Sequence, residues 1–458
     1  MKKRLYTWHR QLGIIACIPV VLWALSGITH PLMNWFQPNI ATNQPYSVTL
    51  STQHLMPLHE VLASEATTTA ERIRLVELEN RTAYQIRWPG NPALQYFDAE
   101  TGDLIPDGDQ RYARQLARHF LGDDRPAVTD IVLLTDFTSQ YREINRLLPV
   151  YRVSFDREDR IRVYVDTGSS RLGTATDRFR QVNQALFWLF HNFGFLSFAG
   201  WFRPVVLLLL SLASALSGLF GIAVFGFTNN PAEFGFRKTH RYLGIAVSLA
   251  LIMFSTSAFV QTTSSSLSPD NRHLYVDETP IRIRDFSHSV EEALSTRETP
   301  YEWSLVSMSG ETYHRIQYED GSTGYLHVDS GDQLPDGDEI YATHLASMFG
   351  APEHATNVSA VHRFQGEYGF INKRLPVVKL EYDDKQTYYI ETRTGQLAAI
   401  FGQSRRFSGL FFIMIHKWHF LNPIGMVARD VLMILFCLSI AATAGSGIWI
   451  YIRKIRKE

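Results

Sequence analysis

The sequence predicts an α-helical membrane protein with four transmembrane helices in two tandem pseudo-symmetric halves, each half carrying an α+β domain outside the membrane. Three observations predict it. Four uncharged windows are long and apolar enough to span a bilayer. Basic residues cluster on one side of those windows. Short motifs of the first half recur, in order, in the second.

The first window runs from Gln11 to His59 without Asp, Glu, Lys or Arg, and its apolar core is Leu12 to Met33. The others are Pro204–Ala232, Tyr242–Pro269 and Val431–Ile452. Each holds about 20 apolar-rich residues, enough to cross a hydrocarbon layer of ~30 Å as a helix. The first is expected to be a span rather than a signal peptide, because its apolar run is too long for that and no small-residue cleavage site follows. Pro19 is expected to kink it.

Lys2, Lys3, Arg4 and Arg10 precede the first span, Arg237, Lys238 and Arg241 lie between the second and third, and Arg453, Lys454, Arg456 and Lys457 follow the fourth. If the spans alternate, all three clusters face one side, which the positive-inside rule makes the cytoplasm. Lys+Arg is 44 and Asp+Glu is 45, so no excess of basic charge points to nucleic acid. Charged residues make up 19%, below the roughly 25% of soluble proteins. The only cysteines are Cys17 and Cys437, which excludes a disulfide scaffold, a cysteine zinc site and covalent CxxCH haem.

The duplication is read from motifs. His9-Arg10-Gln11-Leu12-Gly13-Ile14 recurs as His240-Arg241-Tyr242-Leu243-Gly244-Ile245. Pro106-Asp107-Gly108-Asp109 recurs as Pro335-Asp336-Gly337-Asp338, and Ile144–Val150 as Ile371–Val377. Arg178-Phe179 with His191 recurs as Arg406-Phe407 with His416. Residue 240 follows residue 9 by 231 positions and residue 416 follows residue 191 by 225, so the register holds across the chain. Packing about a pseudo-twofold axis explains matched glycines and leucines. It does not explain matched histidines.

The domain reading is residues 1–37 as transmembrane helix 1, 38–178 as the first outside domain, and 179–228 as an interfacial segment with helix 2. Residues 229–264 form the cytoplasmic loop and helix 3, 265–404 the second outside domain, and 405–458 an interfacial segment, helix 4 and a cytoplasmic tail. Inside the domains a hairpin unit repeats: Tyr96–Leu104 resembles Tyr389–Leu397, with looser copies at Tyr164–Gly168 and Tyr325–Gly331. Each is a strand closed by an acidic/Thr/Ser-Gly turn. Tyr112–Leu121 and Ile340–Phe349 read as amphipathic helices. The Asp107/Asp109 and Asp336/Asp338 turns are assigned to hairpin and helix-cap chemistry rather than to cations.

The HR-x-LG span entry, the repeated Y-x-D/E-x-x-T/S-G unit and the His-bearing segment before each return span together resemble the PepSY-associated transmembrane family. The resemblance covers essentially the whole chain. It implies a bacterial inner-membrane protein with two periplasmic PepSY domains. It further implies a haem-containing reductase that releases iron from ferric siderophores. The flavin or NADPH domain of some relatives is not among these residues, so the donor stays open between a quinol and a cytoplasmic protein.

Of 16 histidines, a few lie at membrane ends. His9 and His240 sit at equivalent span entries, His30 ends the first span, and His191 and His416 occupy equivalent aromatic-rich segments, with His419 one turn beyond His416. A b haem needs axial imidazoles and an apolar slot. His9 and His30 are 21 residues apart, about 31 Å on a helix, too far for one iron. Two haems are therefore expected, with His9 and His240 as one ligand pair and His191 and His416 as the other. His30 and His419 compete for the second iron. The alternative for each is an interfacial or capping histidine. Arg203 and Arg429, matched before spans two and four, either snorkel to the interface or meet haem propionates. His54, His59, His119, His273, His288, His314, His327, His344, His354 and His362 are read as solvated surface.

Two functions stay open. One is a transmembrane electron carrier that reduces a ferric siderophore or another ferric chelate. The other is a membrane-anchored PepSY binding module without redox activity. Direct metal transport is disfavoured because no acidic residue lies in the four windows.

Overall fold

The computed structural model describes residues 2–46, 54–63, 65, 69–227, 235–267, 276–284, 286–295 and 300–456. His273, Lys457 and residues 228–234 of the inter-span loop lie outside them. The chain divides into two units. A helical unit comprises Met1–Gln37, Phe179–Asp270 and Gln403–Glu458, and a sheet unit comprises Pro38–Arg178 and Asn271–Gly402.

Four helices of the helical unit are long and apolar enough to cross a membrane. The first runs Lys2–Gly27, with Pro19 inside it, and continues past Ile28 as Thr29–Trp35. The others are Phe202–Phe227, Phe236–Leu267 and Met426–Ile455. The first packs on the second and fourth, and the third does the same. Ala16, Val20, Ala24, Ala213, Val247, Ala250 and Ile440 form the shared core. Such small residues let helix backbones approach where lipid cancels any hydrophobic drive between helices. The buried serines Ser211, Ser214, Ser248 and Ser257 each return their hydroxyl to the carbonyl four residues back, at 2.7–2.8 Å.

One expectation changes here. The fourth helix begins at Met426, before the uncharged window, and so includes Arg429 and Asp430, both buried. The absence of acidic residues from the spans therefore does not hold. A window defined by lack of charge cannot contain an ion pair, and Arg429 donates to Asp430 Oδ1 at 2.7 and 3.0 Å.

The two halves of the sheet unit meet in one six-stranded antiparallel sheet. Its order is Thr323–His327, Glu311–Tyr318, Pro300–Met308, Arg72–Leu78, Arg81–Arg87 and Gln95–Asp98. The join pairs Arg74 with Ser304 and Ile73 with Leu305. So the two sheet-bearing segments share the core around Ile73, Trp303 and Leu305, while each keeps a further core of its own. Strand alternation sends Ile73, Leu75, Trp303 and Leu305 to one face, against the short helices Leu58–Val61 and Val290–Leu294. Val76, Leu78, Val306 and Met308 point the other way, onto the helices Gly108–Leu121 and Gly337–Met348. Each of these helices is covered in turn by a four-stranded antiparallel sheet, built within 128–176 in the first half and 357–401 in the second.

The repeated Pro-Asp-Gly-Asp starts those two helices, but not by side-chain capping. Asp107 and Asp336 sit in the left-handed region at φ 53° and 52° and make no capping hydrogen bond. A Cβ at Gly108 or Gly337 would lie 2.8 or 2.6 Å from the ring of Tyr96 or Tyr325, so glycine is needed for the helix start to rest on that ring. Asp109 and Asp338 accept from the same tyrosine hydroxyls at 3.0 and 2.8 Å.

Buried charge ties the halves together. Glu391, fully buried, pairs with Arg171 of the first half and with Arg374 at 2.6 Å. Glu302 pairs with Arg393 at 2.6 Å and lies 3.7 Å from Arg74. His314 departs from the surface reading: it is fully buried, accepts from Trp303 Nε1 at 3.1 Å and donates to the His288 carbonyl at 3.0 Å.

Candidate redox site: two histidine pairs in the helical bundle

His9 lies about two turns and His240 about one turn inside the N-termini of the first and third spans, and the bundle brings their rings together at 6.3 Å between centres. Each ring is fixed from the following span of its own half. His9 Nδ1 donates to Ser217 O at 3.0 Å, and His240 Nδ1 donates to Thr443 O at 3.0 Å with Ser446 Oγ at 3.1 Å. A carbonyl only accepts, so the proton sits on Nδ1 and the Nε2 lone pair is left for another partner. Gly221 and Gly447 make the room. A Cβ there would stand 3.2 and 3.1 Å from the Cε1 atoms of His9 and His240.

His191 and His416 form the second pair, with ring centres 6.2 Å apart. Both end a single π-helical turn, Phe187–His191 and Phe412–His416. Such turns insert one extra residue and re-aim a side chain. Two positions later stand Phe193 and Trp418, at φ 48° and 53°. A bulky residue in that region is strained, and both rings are held by stacking. Phe193 stacks on Trp23 at 5.5 Å, and Trp418 on Phe254 at 5.2 Å. Phe187 and Phe412 stack on the two histidines at 4.4 and 4.6 Å.

The Nδ1 atoms are again occupied. His416 Nδ1 lies 2.9 Å from Ser257 Oγ, and His191 Nδ1 lies 3.3 Å from both Ser26 Oγ and Trp23 O. Both serine hydroxyls already donate to their own helix, to Leu22 O and Met253 O. They therefore accept from the imidazoles, which leaves Nε2 unprotonated as in the first pair. Ser26 and Ser257 match across the repeat and were not singled out in the sequence. The 231-residue offset that matches His9 to His240 would have found them.

The two pairs lie toward opposite ends of one helix. Trp23 and Ser26, which hold His191, follow His9 by 14 and 17 residues, about 21 and 26 Å at 1.5 Å per residue. Two imidazoles that held one metal ion between them would have their ring centres at such a spacing. With metal–nitrogen bonds of about 2.0 Å and a ring centre roughly 1.1 Å further on, two opposed imidazoles have centres about 6.2 Å apart. Among the described residues no group of three or more His, Cys, Asp or Glu could hold a metal ion.

The remaining candidates are not brought into either pair. His30 lies on the short Thr29–Trp35 helix, 6.3 Å from the Phe187 ring, and its Nε2 accepts from Lys417 Nζ at 2.5 Å. His419 starts the 3-10 turn His419–Ile424. Arg203 Nε donates to Asn192 O at 2.9 Å, and Arg429 is spent on Asp430 and on Asn422 Oδ1 at 2.7 Å. Both arginines thus have protein partners. No family model matches the chain, and no curated protein does.

Proposed function

We propose that this protein carries electrons across a bacterial inner membrane through two non-covalent b haems and delivers them to a periplasmic ferric chelate such as a siderophore. The observation that carries this is the pair of imidazole spacings, 6.3 and 6.2 Å, toward opposite ends of one span with every Nδ1 tied down. A b haem, if held at each pair, would supply a one-electron carrier. The chain's own part is to fix the imidazoles through Ser217, Thr443, Ser26 and Ser257 and to keep the surroundings apolar with Phe187, Phe412, Phe193 and Trp418. The substrate's Fe(III) gains one electron and becomes Fe(II), which hard oxygen ligands hold less tightly. The PepSY resemblance and the positive-inside rule support the orientation, with the sheet unit periplasmic.

A quinol is the favoured donor. A groove on the bundle flank next to His9, lined by Trp8, Gln11, Leu12, Ile14, Ile15 and Phe220, offers an aromatic wall and one amide to a lipid-borne ring. Each quinol releases two electrons and two protons, enough for two ferric ions.

The second reading is a membrane-anchored PepSY binding module. It is favoured by a crevice in the sheet unit lined by Glu71, Arg72, Arg87, Asp277, Tyr341 and Arg393, which suits a polar ligand. Haem content separates the two. The purified full-length chain is expected to show a Soret band, about two acid-acetone-extractable haems per chain, and reoxidation by ferric chelate after reduction. A colourless protein overturns the carrier reading in favour of the module.

A further inference from the structure

The duplication makes the two histidine pairs comparable residue by residue, and one end departs from the symmetry. Asn192 follows His191, whereas Lys417 follows His416. The first half has His30 where the second has Gln261, and Pro204 stands where the second half has Asp430. The odd residues meet. Lys417 Nζ donates to His30 Nε2 at 2.5 Å, between the first span's extension and the second half's return segment.

The charges there do not cancel. Arg429 and Asp430 neutralise one another, with both side chains no more than a tenth exposed. Among the described residues no carboxylate forms an ion pair with Lys417, whose partner is the uncharged acceptor nitrogen of His30. Arg180 contributes further positive field at His30. At the other end the basic residues come in both halves, as Arg10 and Arg241, so they match rather than distinguish the two halves. Arg241 is also turned away, over the Phe225 ring at 4.7 Å and onto Phe225 O at 3.1 Å. A half-buried ammonium with no counterpart in the other half is a difference between the two ends.

We propose that Lys417, held in place by His30, is a potential-setting residue: its charge makes the His191/His416 end the better electron acceptor and so gives transfer through the bundle its direction. The proposal rests on the haem reading above. Lys417 touches no reacting atom and acts through its field, since adding an electron is favoured by a positive charge close by. At the His9/His240 end the basic residues are matched between the halves and Arg241 is turned onto Phe225, and this end remains the lower-potential station.

The test is a spectroelectrochemical titration of the full-length protein, with haem content measured on the same samples. Wild type should give two resolved potentials. Lys417→Asn, which installs the residue of the other half, should lower only the higher one, by a tenfold change in the reduction equilibrium or about 59 mV for one electron. Lys417→Arg should hold it. Asn192→Lys adds the same charge from the opposite half and should raise the same potential, so the proposal is tested even if Lys417→Asn loses a haem. If Asn192→Lys and Lys417→Asn both leave the higher potential in place, or if the lower potential is the one that moves, the proposal is wrong. A wild-type protein without haem overturns this proposal together with the carrier reading, and that result is distinct from two haems whose potentials ignore Lys417.

Discussion

His191 and His416 stand 225 residues apart in the sequence and 6.2 Å apart between ring centres, with their planes at 83°. Neither ring is positioned by the other. Each is fixed by a serine of the preceding span in its own half, so the pair is assembled by docking two like halves rather than by a local motif.

The two pairs should therefore fail separately. His191→Ala or His416→Ala should lower haem from about two per chain to about one, and His9→Ala or His240→Ala should do the same with the other haem retained. Gly221→Ala and Gly447→Ala should disturb only the His9/His240 spectrum, because the added Cβ meets those rings at 3.2 and 3.1 Å. Low-temperature optical spectra of each variant check this. Loss of both haems from any single substitution would show the stations to be coupled.

The second-sphere serines should differ in weight. His416 depends on Ser257 at 2.9 Å, whereas His191 divides a longer contact between Ser26 and Trp23 O, both at 3.3 Å. Outer partners of this kind typically contribute 10–100-fold in metal affinity. Ser257→Ala should weaken haem retention by about tenfold, and Ser26→Ala by less. Haem transfer to apomyoglobin measures both, and the opposite order would contradict the hydrogen-bond assignment.

Much of this was legible in the sequence, and what was missed has physical causes. The four spans followed from absence of charge, which also hid the start of the fourth, because Arg429 and Asp430 cancel each other inside it. The paired histidines followed from the repeat. The serines were open to the same comparison, but a serine in a span usually returns its hydroxyl to its own helix, and these do that as well. The shared six-stranded sheet was not legible, since Arg74 pairs with Ser304 far along the chain and leaves no local pattern. His314 was misread because the strand Glu311–Tyr318 is polar in composition, and only the joined sheet buries it.

The sheet unit should lose stability in two acid steps. Burial pushes the His314 pKa down to about 4, and His288 and His327 add to this against the opposing hydrogen bond to the His288 carbonyl. Its stabilising contribution is complete above its unfolded value of about 6.5 and is lost as pH falls toward 4. Burial would raise Glu302 and Glu391, but Arg393, Arg74 and Arg315 hold Glu302 down to about 2, and Arg171 and Arg374 hold Glu391 well below the usual range. Their contribution is present above about 4.3 and fades only at lower pH. Thermal melts at pH 7, 5 and 3.5 should show the first step abolished by His314→Gln. Glu391→Gln should cost about 3–5 kcal/mol at pH 7 by leaving Arg171 and Arg374 buried without their partner.

Orientation is tested by reporters. By the positive-inside rule, the basic clusters before the first span, between the second and third, and after the fourth predict that both termini are cytoplasmic. Alkaline phosphatase fused after residue 100 or 330 should be active and green fluorescent protein dark. The reverse pattern at either site would turn the proposed electron path around.

His30 offers the sharpest contest over ligation. By position alone it is as good a candidate as His191, ending its span at the same end of the bundle. Its Nε2, the nitrogen a ligand would use, is already occupied by Lys417 Nζ at 2.5 Å, while the His191/His416 pair has an imidazole on each side and no need of a third. His30→Ala should therefore keep both haems per chain and both Soret bands. What it should change is the placement of the Lys417 ammonium, and with it the higher of the two potentials. His191→Ala, by contrast, should lose one haem whatever occupies position 30. If His30→Ala loses a haem and His191→Ala keeps both, the axial ligand is His30, and the resting contact with Lys417 must break when haem binds.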